Sequence, residues 1–125
     1  MKPRWVAAGV LGATGIALGA FGAHGLKQHW ATMPEGLGWW QTATQYLLLH
    51  AVALAAVPLA SVAKYRCPAT YWILGSVIFS GTLYAVALGA PRILGMITPL
   101  GGIMLMVGWL CLAWQGWQGL TATTD

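Results

Sequence analysis

The chain has 125 residues, of which 58% are hydrophobic and only 6% carry a charge. Soluble domains are about one quarter charged, so six basic and two acidic side chains are too few to cover a surface in water. A lipid-facing surface, by contrast, is expected to be apolar. The net charge of +4 comes from basic residues scattered between apolar runs rather than gathered in one patch, which argues against nucleic-acid binding.

Four apolar runs are long enough to cross the bilayer, which takes about 20 helical residues for ~30 Å of hydrocarbon. In chain order, the predicted helices cover residues 5–23, 40–63, 69–89 and 95–117. Charged residues, glycines and prolines punctuate the connections, and no soluble linker is present. We therefore predict an all-α polytopic membrane protein, with residues 1–125 forming one domain, a four-transmembrane-helix bundle.

The first run follows two basic residues and so shares features with a signal peptide, but its length and Gly-rich face favour a retained helix. The basic loops set the orientation, because Lys and Arg are enriched on the cytoplasmic side. With the N-terminus inside, that side carries Lys2, Arg4, Lys64 and Arg66, against Lys27 and Arg92 outside. We therefore predict that both the N- and C-termini are cytoplasmic.

Several residues predict details of the helices. Pro58 and Pro99 fall within predicted spans, where a proline removes a backbone donor and kinks the helix. Tryptophans concentrate near the predicted helix ends and indicate an aromatic belt at the headgroups. Rows of small residues, which allow close helix packing, are Gly15, Gly19 and Ala23 in the first helix and Gly81, Ala85 and Gly89 in the third.

Polar side chains recur at a spacing of four within the second and third predicted helices, so each set shares one helix face. Counted from the predicted outer ends, Tyr46 and Tyr84 both lie six residues deep, and His50 and Ser80 both lie ten residues deep. The sequence therefore predicts a polar layer in the outer half, forming one hydrogen-bonded cluster or a small cavity. Its members are His24, Tyr46, His50, Ser80, Tyr84 and Thr98.

His50 admits two interpretations. It could join helices through hydrogen bonds worth roughly 0.6 kcal/mol each, or mark a functional site, as ionisable groups within membranes often do. No catalytic residue, metal ligand or cofactor is assigned, because the histidines and methionines form no haem or copper ligand pattern and no acidic residue lies in a span. Cys67, in a predicted loop, and Cys111 are expected to be free thiols, without a disulfide or zinc site.

Several motifs are similar to those of a known family. They are Gly-Ala-Phe-Gly-Ala-His-Gly-Leu at 19–26, the stretch from Trp40 through Tyr46 to His50 and Ala51, Phe-Ser-Gly-Thr-Leu-Tyr at 79–84, and Ile-Thr-Pro-Leu-Gly-Gly to Gly-Trp at 97–109. In this order they resemble the YgdD family of small four-helix inner-membrane proteins, which has relatives in eukaryotic mitochondria and no established activity. The resemblance implies a multi-pass protein of the bacterial inner (plasma) membrane. The family's recurring positions correspond to His24, Tyr46, His50, Ser80, Tyr84, Thr98 and Pro99.

We expect a non-enzymatic accessory protein that binds a lipid or a membrane-protein partner through the bundle, alone or as a homo-oligomer. One alternative is a small-solute or ion pathway formed by an oligomer. A second is an enzyme that modifies a lipid or quinone, with His50 or Tyr84 as acid or base. The sequence leaves the ligand, the physiological partner, the oligomeric state and the hydration of the cavity open.

Overall fold

The computed structural model describes residues 2–57 and 66–122, with side chains described as far as residue 119. Over these ranges the elements are α1 (Pro3–His24), α2 (Lys27–Thr32), α3 (Pro34–Ala56), α4 (Arg66–Ala87), a 3₁₀ helix (Arg92–Met96) and α5 (Thr98–Ala122). The all-α class is therefore confirmed for the part of the chain that is described.

Three described segments are long and apolar enough to cross a membrane, Pro3–His24, Arg66–Ala87 and Arg92–Gly119. The prediction was four spans, so length and composition support three of them. The second predicted span corresponds to α3, which has 23 residues but is not among the qualifying segments. Its polar side chains, including Gln41, Gln45 and His50, lower its mean hydropathy.

The second helix also has different ends from the predicted range of 40–63. It begins at Pro34, because a proline is well tolerated in the first helical turn, where its missing N–H would have no partner. It ends at Ala56, and Val57 is extended, with φ −68° and ψ 126°, as expected for a residue that precedes a proline. Pro58, with its predicted kink, lies outside the described residues, as does Lys64.

The other predicted boundaries shift by a few residues. The third helix begins at Arg66 rather than at 69, so Cys67 is helical and not in a loop. The fourth begins at Thr98 rather than at 95, which places Pro99 in the first turn, where it costs no helical hydrogen bond. The connection after α1 contains α2. Gly89, with φ 105°, allows the turn after α4 because glycine tolerates positive φ.

Antiparallel packing of α1 against α3 is shown by glycines that face successively earlier residues of α3. A Cβ added to Gly15 would meet Leu48, one added to Gly19 would meet Thr44, and one added to Gly22 would overlap the Trp40 indole. Glycines here let the two backbones approach closely, as small residues do in membrane helices. The predicted row of small residues in the third helix behaves differently, because Gly81 faces open space.

Each long helix packs against the long helix that follows it in the chain: α1 against α3, α3 against α4, and α4 against α5. The α4–α5 pair is antiparallel along its length. Thr82 meets Thr98 at one end, Trp72 contacts Gly108 further along, and Cys67 meets Cys111 near the other end. Helices α3 and α4 therefore lie centrally, with α1 against α3 and α5 against α4.

Candidate functional site

Five aromatic side chains from three helices surround one another in what we call the His50 cluster. Its members are Tyr46 and His50 of α3, Trp72 and Phe79 of α4, and Trp109 of α5. The His50 ring is only 2% exposed. It stacks on Tyr46 at a centroid distance of 6.3 Å and meets the edges of Trp72 and Trp109 at 6.3 and 6.0 Å. The imidazole is thus enclosed by aromatic rings.

Both ring nitrogens of His50 take part in hydrogen bonds. The Trp109 Nε1–H donates to His50 Nε2 over 3.0 Å, and His50 Nδ1 lies 2.7 Å from the Tyr46 carbonyl oxygen. An indole N–H can only donate, so Nε2 is the acceptor and Nδ1 carries the proton. His50 is therefore a neutral imidazole with both nitrogens satisfied, and any new ligand at Nε2 would have to displace Trp109.

A groove opens sideways beside the His50 cluster, between α3 and α5, with a volume of about 410 Å³. Ligand pockets in proteins are commonly about 300–1,000 Å³. The residues that line it are Tyr46, Leu49, His50, Phe79, Pro99, Gly102, Ile103, Leu105, Met106 and Trp109. Tyr46 and Trp109 are 40% and 42% exposed, and Leu49, Ile103 and Met106 are more exposed still, so these five side chains form its rim. The groove is apolar apart from the polar atoms of Tyr46, His50 and Trp109.

A second aromatic group, the Trp40 cluster, contains Phe21, Trp30, Trp40 and Tyr84. The indole N–H of Trp40 donates to the Leu18 carbonyl over 2.7 Å, and that of Trp30 donates to the Gly22 carbonyl over 2.7 Å. Both tryptophans are buried. The belt prediction therefore fails for Trp30, Trp40 and the buried Trp72, because their rings pack between helices instead of facing headgroups.

The six sequence-predicted site residues are not brought together. Tyr84 pairs with Thr44 at 2.7 Å, and the Ser80 hydroxyl donates to the Ala43 carbonyl over 2.7 Å. Thr98 pairs with Thr82 at 2.6 Å. His50 and Tyr46 belong to the His50 cluster, whereas His24 is exposed at the end of α1. The polar groups thus form separate contacts between helices instead of one network.

The depth of His50 explains this separation. Because α3 begins at Pro34 and not at 40, His50 lies 16 residues into the helix. Ser80, predicted at the same depth, instead contacts Ala43, seven residues before His50. At 1.5 Å per residue this separation is about 10 Å along the axis. His50 therefore lies nearer the α4 start, beside Trp72, and away from the predicted outer half.

Sequence reasoning missed the partners of these groups. Trp109 lies well inside the predicted fourth span, and nothing in its spacing indicates a bond to His50. The sequence did not single out Thr44 and Thr82 as partners. Each hydroxyl also donates to a carbonyl one turn earlier, that of Trp40 or Ile78, and a threonine in any helix can make this local bond. His29, in the predicted loop, contacts the Ala87 carbonyl oxygen through Nε2 at 2.7 Å and ties α2 to α4.

Within residues 2–57 and 66–122, no three His, Cys, Asp or Glu side chains gather as a metal site would require. A larger groove of about 680 Å³ lies between α1 and α3, but aliphatic and small side chains dominate it. Among the described residues, Trp5 is its only lining residue with a polar side-chain atom, and no buried ionisable side chain lines it, unlike the groove beside His50. The groove beside His50 is therefore the candidate site.

Long apolar helices, interhelical bonds between polar side chains and a groove open to the side define a small helical membrane protein. The comparisons agree with this class. Residues 18–102 match the family described as "Protein of unknown function (DUF423)". Relatives at 35–41% identity cover most of the chain, and the chain belongs to this family, which includes YgdD.

The relatives carry membrane-protein names. A UPF0382 membrane protein of Haemophilus influenzae is 38% identical over 106 residues, which are 82% of this chain and 84% of the relative. One from Schizosaccharomyces pombe is 40% identical, covering 84% and 93%. The inner membrane protein YgdD of Escherichia coli K12 is 35% identical, covering 75% and 73%. No solved structure matches the chain.

Proposed function

We propose that this chain is a non-enzymatic protein of the bacterial inner membrane that binds a lipid hydrocarbon chain in the groove beside His50. It forms a four-transmembrane-helix bundle with both termini cytoplasmic. The observation that carries the proposal is the groove itself, which is apolar, rimmed by Tyr46 and Trp109, and open between two long helices. The Escherichia coli relative's name as an inner membrane protein supports the location.

The fourth crossing is proposed from the position of α3. This helix packs against both α1 and α4 and runs antiparallel to α1. Its polar groups Thr44 and His50 are bonded to Tyr84 and Trp109 on other helices. Polar side chains that are satisfied inside the protein need not face lipid, so Thr44 and His50 do not oppose a crossing by α3, whereas Gln41 and Gln45 are exposed on its surface.

The orientation is proposed from the charges at the two ends. Lys2, Arg4 and Arg66 belong to the starts of α1 and α4. At the other end Arg92 pairs with Glu35 at 3.2 Å, which offsets its charge, and Lys27 begins α2. The excess positive charge at the first end favours placing it in the cytoplasm.

The ligand chemistry follows from what lines the groove. Leu49, Ile103 and Met106 offer aliphatic surface, while Tyr46 and Trp109 offer ring faces and edges. Tyr46 is near the middle of α3 and so, in a crossing helix, near the middle of the hydrocarbon layer, where lipid chains are the available apolar molecules. The lipid partner therefore presents its chain here and leaves its headgroup to the membrane surface.

The same geometry favours binding over catalysis. Both His50 nitrogens are already bonded, and the Tyr84 hydroxyl is paired with Thr44, so neither proposed acid or base faces the groove with a free atom. The solute pathway is not favoured either, because Ser80, Tyr84 and Thr98 contact neighbouring helices and line no common channel. A membrane-protein partner or a homo-oligomer remains compatible with lipid binding.

Native mass spectrometry of the protein extracted with phosphatidylglycerol tests the proposal. A Gly102→Leu variant fills the groove, since a Cβ at Gly102 meets the Phe79 ring only at ordinary contact distances of 3.6 and 3.7 Å. We expect the fraction of protein that carries lipid to fall about fivefold, a loss of about 1 kcal/mol in binding. Gly116→Leu, on the same helix in open space, is the matched control and should retain lipid.

Two results would contradict lipid binding in the groove. One is a wild-type protein that carries no phosphatidylglycerol after gentle extraction. The other is an equal loss of lipid in Gly102→Leu and Gly116→Leu, because that would trace the effect to the surface of α5. Far-UV circular dichroism of each variant shows whether it keeps its helices, so that a folding defect is recognised as such.

A further inference from the structure

Two thiols from different helices meet near the start of α4. Cys67 lies in the first turn of α4 and Cys111 lies in α5, 44 residues apart in the chain. Their Sγ atoms are 2.7 Å apart, and both are free. The sequence predicted two separate free thiols, with Cys67 in a loop. The helical start at Arg66 instead brings the two thiols together.

The distance leaves little movement for bond formation. A disulfide joins its sulfurs at about 2.05 Å, and the two Sγ atoms already lie closer than ordinary contact between non-bonded sulfurs, so the two side chains point at each other. The cysteines sit on antiparallel helices that are held in register by other contacts, at Trp72 with Gly108 and at Thr82 with Thr98. The packing of the whole hairpin therefore brings the two cysteines to the same level on neighbouring helices.

Access differs between the two thiols. Cys67 is exposed and follows the exposed cation Arg66, whereas Cys111 is half-buried. A small water-soluble disulfide can thus reach Cys67 first, and a reactive thiol that is exposed and poised next to a second one is the pattern of reversible redox sites. Cys111 is positioned as the resolving thiol.

We propose that Cys67 and Cys111 form a reversible redox site that closes to a disulfide between α4 and α5 when a small-molecule disulfide is supplied. The Cys67 thiolate attacks one sulfur of the reagent, making a mixed disulfide and releasing one reagent thiolate. The Cys111 thiolate then attacks Cys67 Sγ, forming the Cys67–Cys111 bond and releasing the second. The protein loses two protons and two electrons, and the reagent is reduced to two thiols.

Closure has a structural consequence at α5. The bond locks α5 to α4 two residues from Trp109, whose indole donates to His50. The oxidised protein therefore holds one wall of the groove at a fixed distance from α4, while the reduced protein relies on packing alone. This site does not depend on lipid binding, since its evidence lies in the two sulfurs.

The experiment uses the full-length protein in detergent micelles. The protein is treated with oxidised glutathione, quenched in acid, alkylated with N-ethylmaleimide and weighed intact by mass spectrometry. The expected product is a monomer about 2 Da lighter than the reduced chain, the mass of the two hydrogens lost on disulfide formation, with no maleimide added. Reduction with dithiothreitol before alkylation should restore two maleimide additions.

Two kinds of variant test whether closure requires both cysteines at their native positions: single substitutions, and a cysteine moved to another position on α4. Cys67→Ser and Cys111→Ser should each keep one thiol that takes up maleimide or glutathione, without the 2 Da loss expected of a thiol pair. The matched control combines Cys67→Ser with Thr70→Cys, one turn along, where the native hydroxyl contacts Arg66 of its own helix. We expect at least about tenfold slower closure there, since exchange depends on access to the partner sulfur.

Four outcomes would overturn the proposal. The wild-type protein could keep two alkylatable thiols after oxidation, could stop at stable glutathione adducts, or could form only dimers linked between chains. Closure of the displaced pair as fast as the native pair would also overturn it, by showing that any two thiols on these helices react. The main test is disulfide formation in the wild-type protein, so its result remains valid even if a variant fails to fold.

Discussion

The two aromatic clusters of the molecule use similar residues to different effect. In the Trp40 cluster, the indoles of Trp30 and Trp40 donate to backbone carbonyls of α1, and their rings are buried. In the His50 cluster, the indole of Trp109 donates to another side chain, and the ring is 42% exposed on a groove. The first cluster is closed, and the second is open on one side.

A structural contact and a candidate site in such an apolar chain can thus be distinguished by the partner of the indole N–H and by the exposure of its ring. A bond to a backbone carbonyl positions a helix, and its loss is felt as lost stability. A side-chain pair at the edge of a groove positions the wall of that groove, and its loss should be felt in binding. Variants of the Trp40 cluster should therefore change mainly the unfolding free energy, and variants of the His50 cluster should change mainly the binding of lipid.

Gly22→Ala should have the largest effect, because the added Cβ would overlap the Trp40 indole. Overpacking of a filled site costs about 1–3 kcal/mol, and here it also disturbs the Trp40 bond to Leu18. Equilibrium unfolding in mixed micelles of increasing dodecyl sulfate content, followed by circular dichroism, measures the loss. Gly9→Ala, on the same helix and in open space, should leave the unfolding midpoint unchanged; equal effects would refute close α1–α3 packing.

Replacing either indole by phenylalanine should distinguish the clusters directly. Trp40→Phe leaves a cavity at a buried site and removes a hydrogen bond, for an expected loss of about 2 kcal/mol in unfolding free energy. Trp109→Phe keeps a ring on the groove but removes the donor to His50, for a loss of about 0.6 kcal/mol. Lipid retention should fall in Trp109→Phe and persist in Trp40→Phe. The reverse pattern would show that the open cluster is the structural one.

Two serines one turn apart on α4 should give the smallest change in unfolding free energy, and they form the best-matched pair of variants. The Ser80 hydroxyl donates to Ala43, whereas the Ser76 hydroxyl has no partner among the described residues, although both side chains are buried. Ser80→Ala should destabilise by about 0.6 kcal/mol. Ser76→Ala should be neutral or slightly stabilising, since it removes an unsatisfied buried group. Identical unfolding midpoints for both variants would refute the assigned Ser80 bond.

The helices could be predicted from hydropathy, but their ends could not. Pro34 falls in the connection between the first two predicted spans. A proline, however, is equally suited to be the first residue of a helix. That ambiguity shifted α3 by six residues and moved His50 to a different depth. Hydropathy alone does not identify α3 as a span, because Gln41, Gln45 and His50 count against it, although only His50 is buried against neighbouring helices.

The members of the candidate site could be predicted only in part. A spacing of four identified Tyr46 and His50 as sharing one face, because that rule acts within a helix. The partner Trp109 lies 59 residues away, and no rule of spacing selects it from the other tryptophans. Spacing also fails to show that Thr44, and not Tyr46, meets Tyr84. The register between helices depends on close contacts at glycines, and the spacing of residues within one helix does not reveal those contacts.

The polar inner helix has a consequence for biogenesis. In the proposed topology, α3 carries Gln41, Gln45 and His50 into the bilayer, and a segment of such marginal apolarity partitions poorly by itself during synthesis. The glycine face of α1 is already made when α3 emerges from the ribosome, and α4 follows it. Retention of α3 in the lipid phase thus depends on docking against its neighbours, so substitution of an α1 glycine that faces α3, such as Gly15 or Gly22, should reduce the insertion of α3.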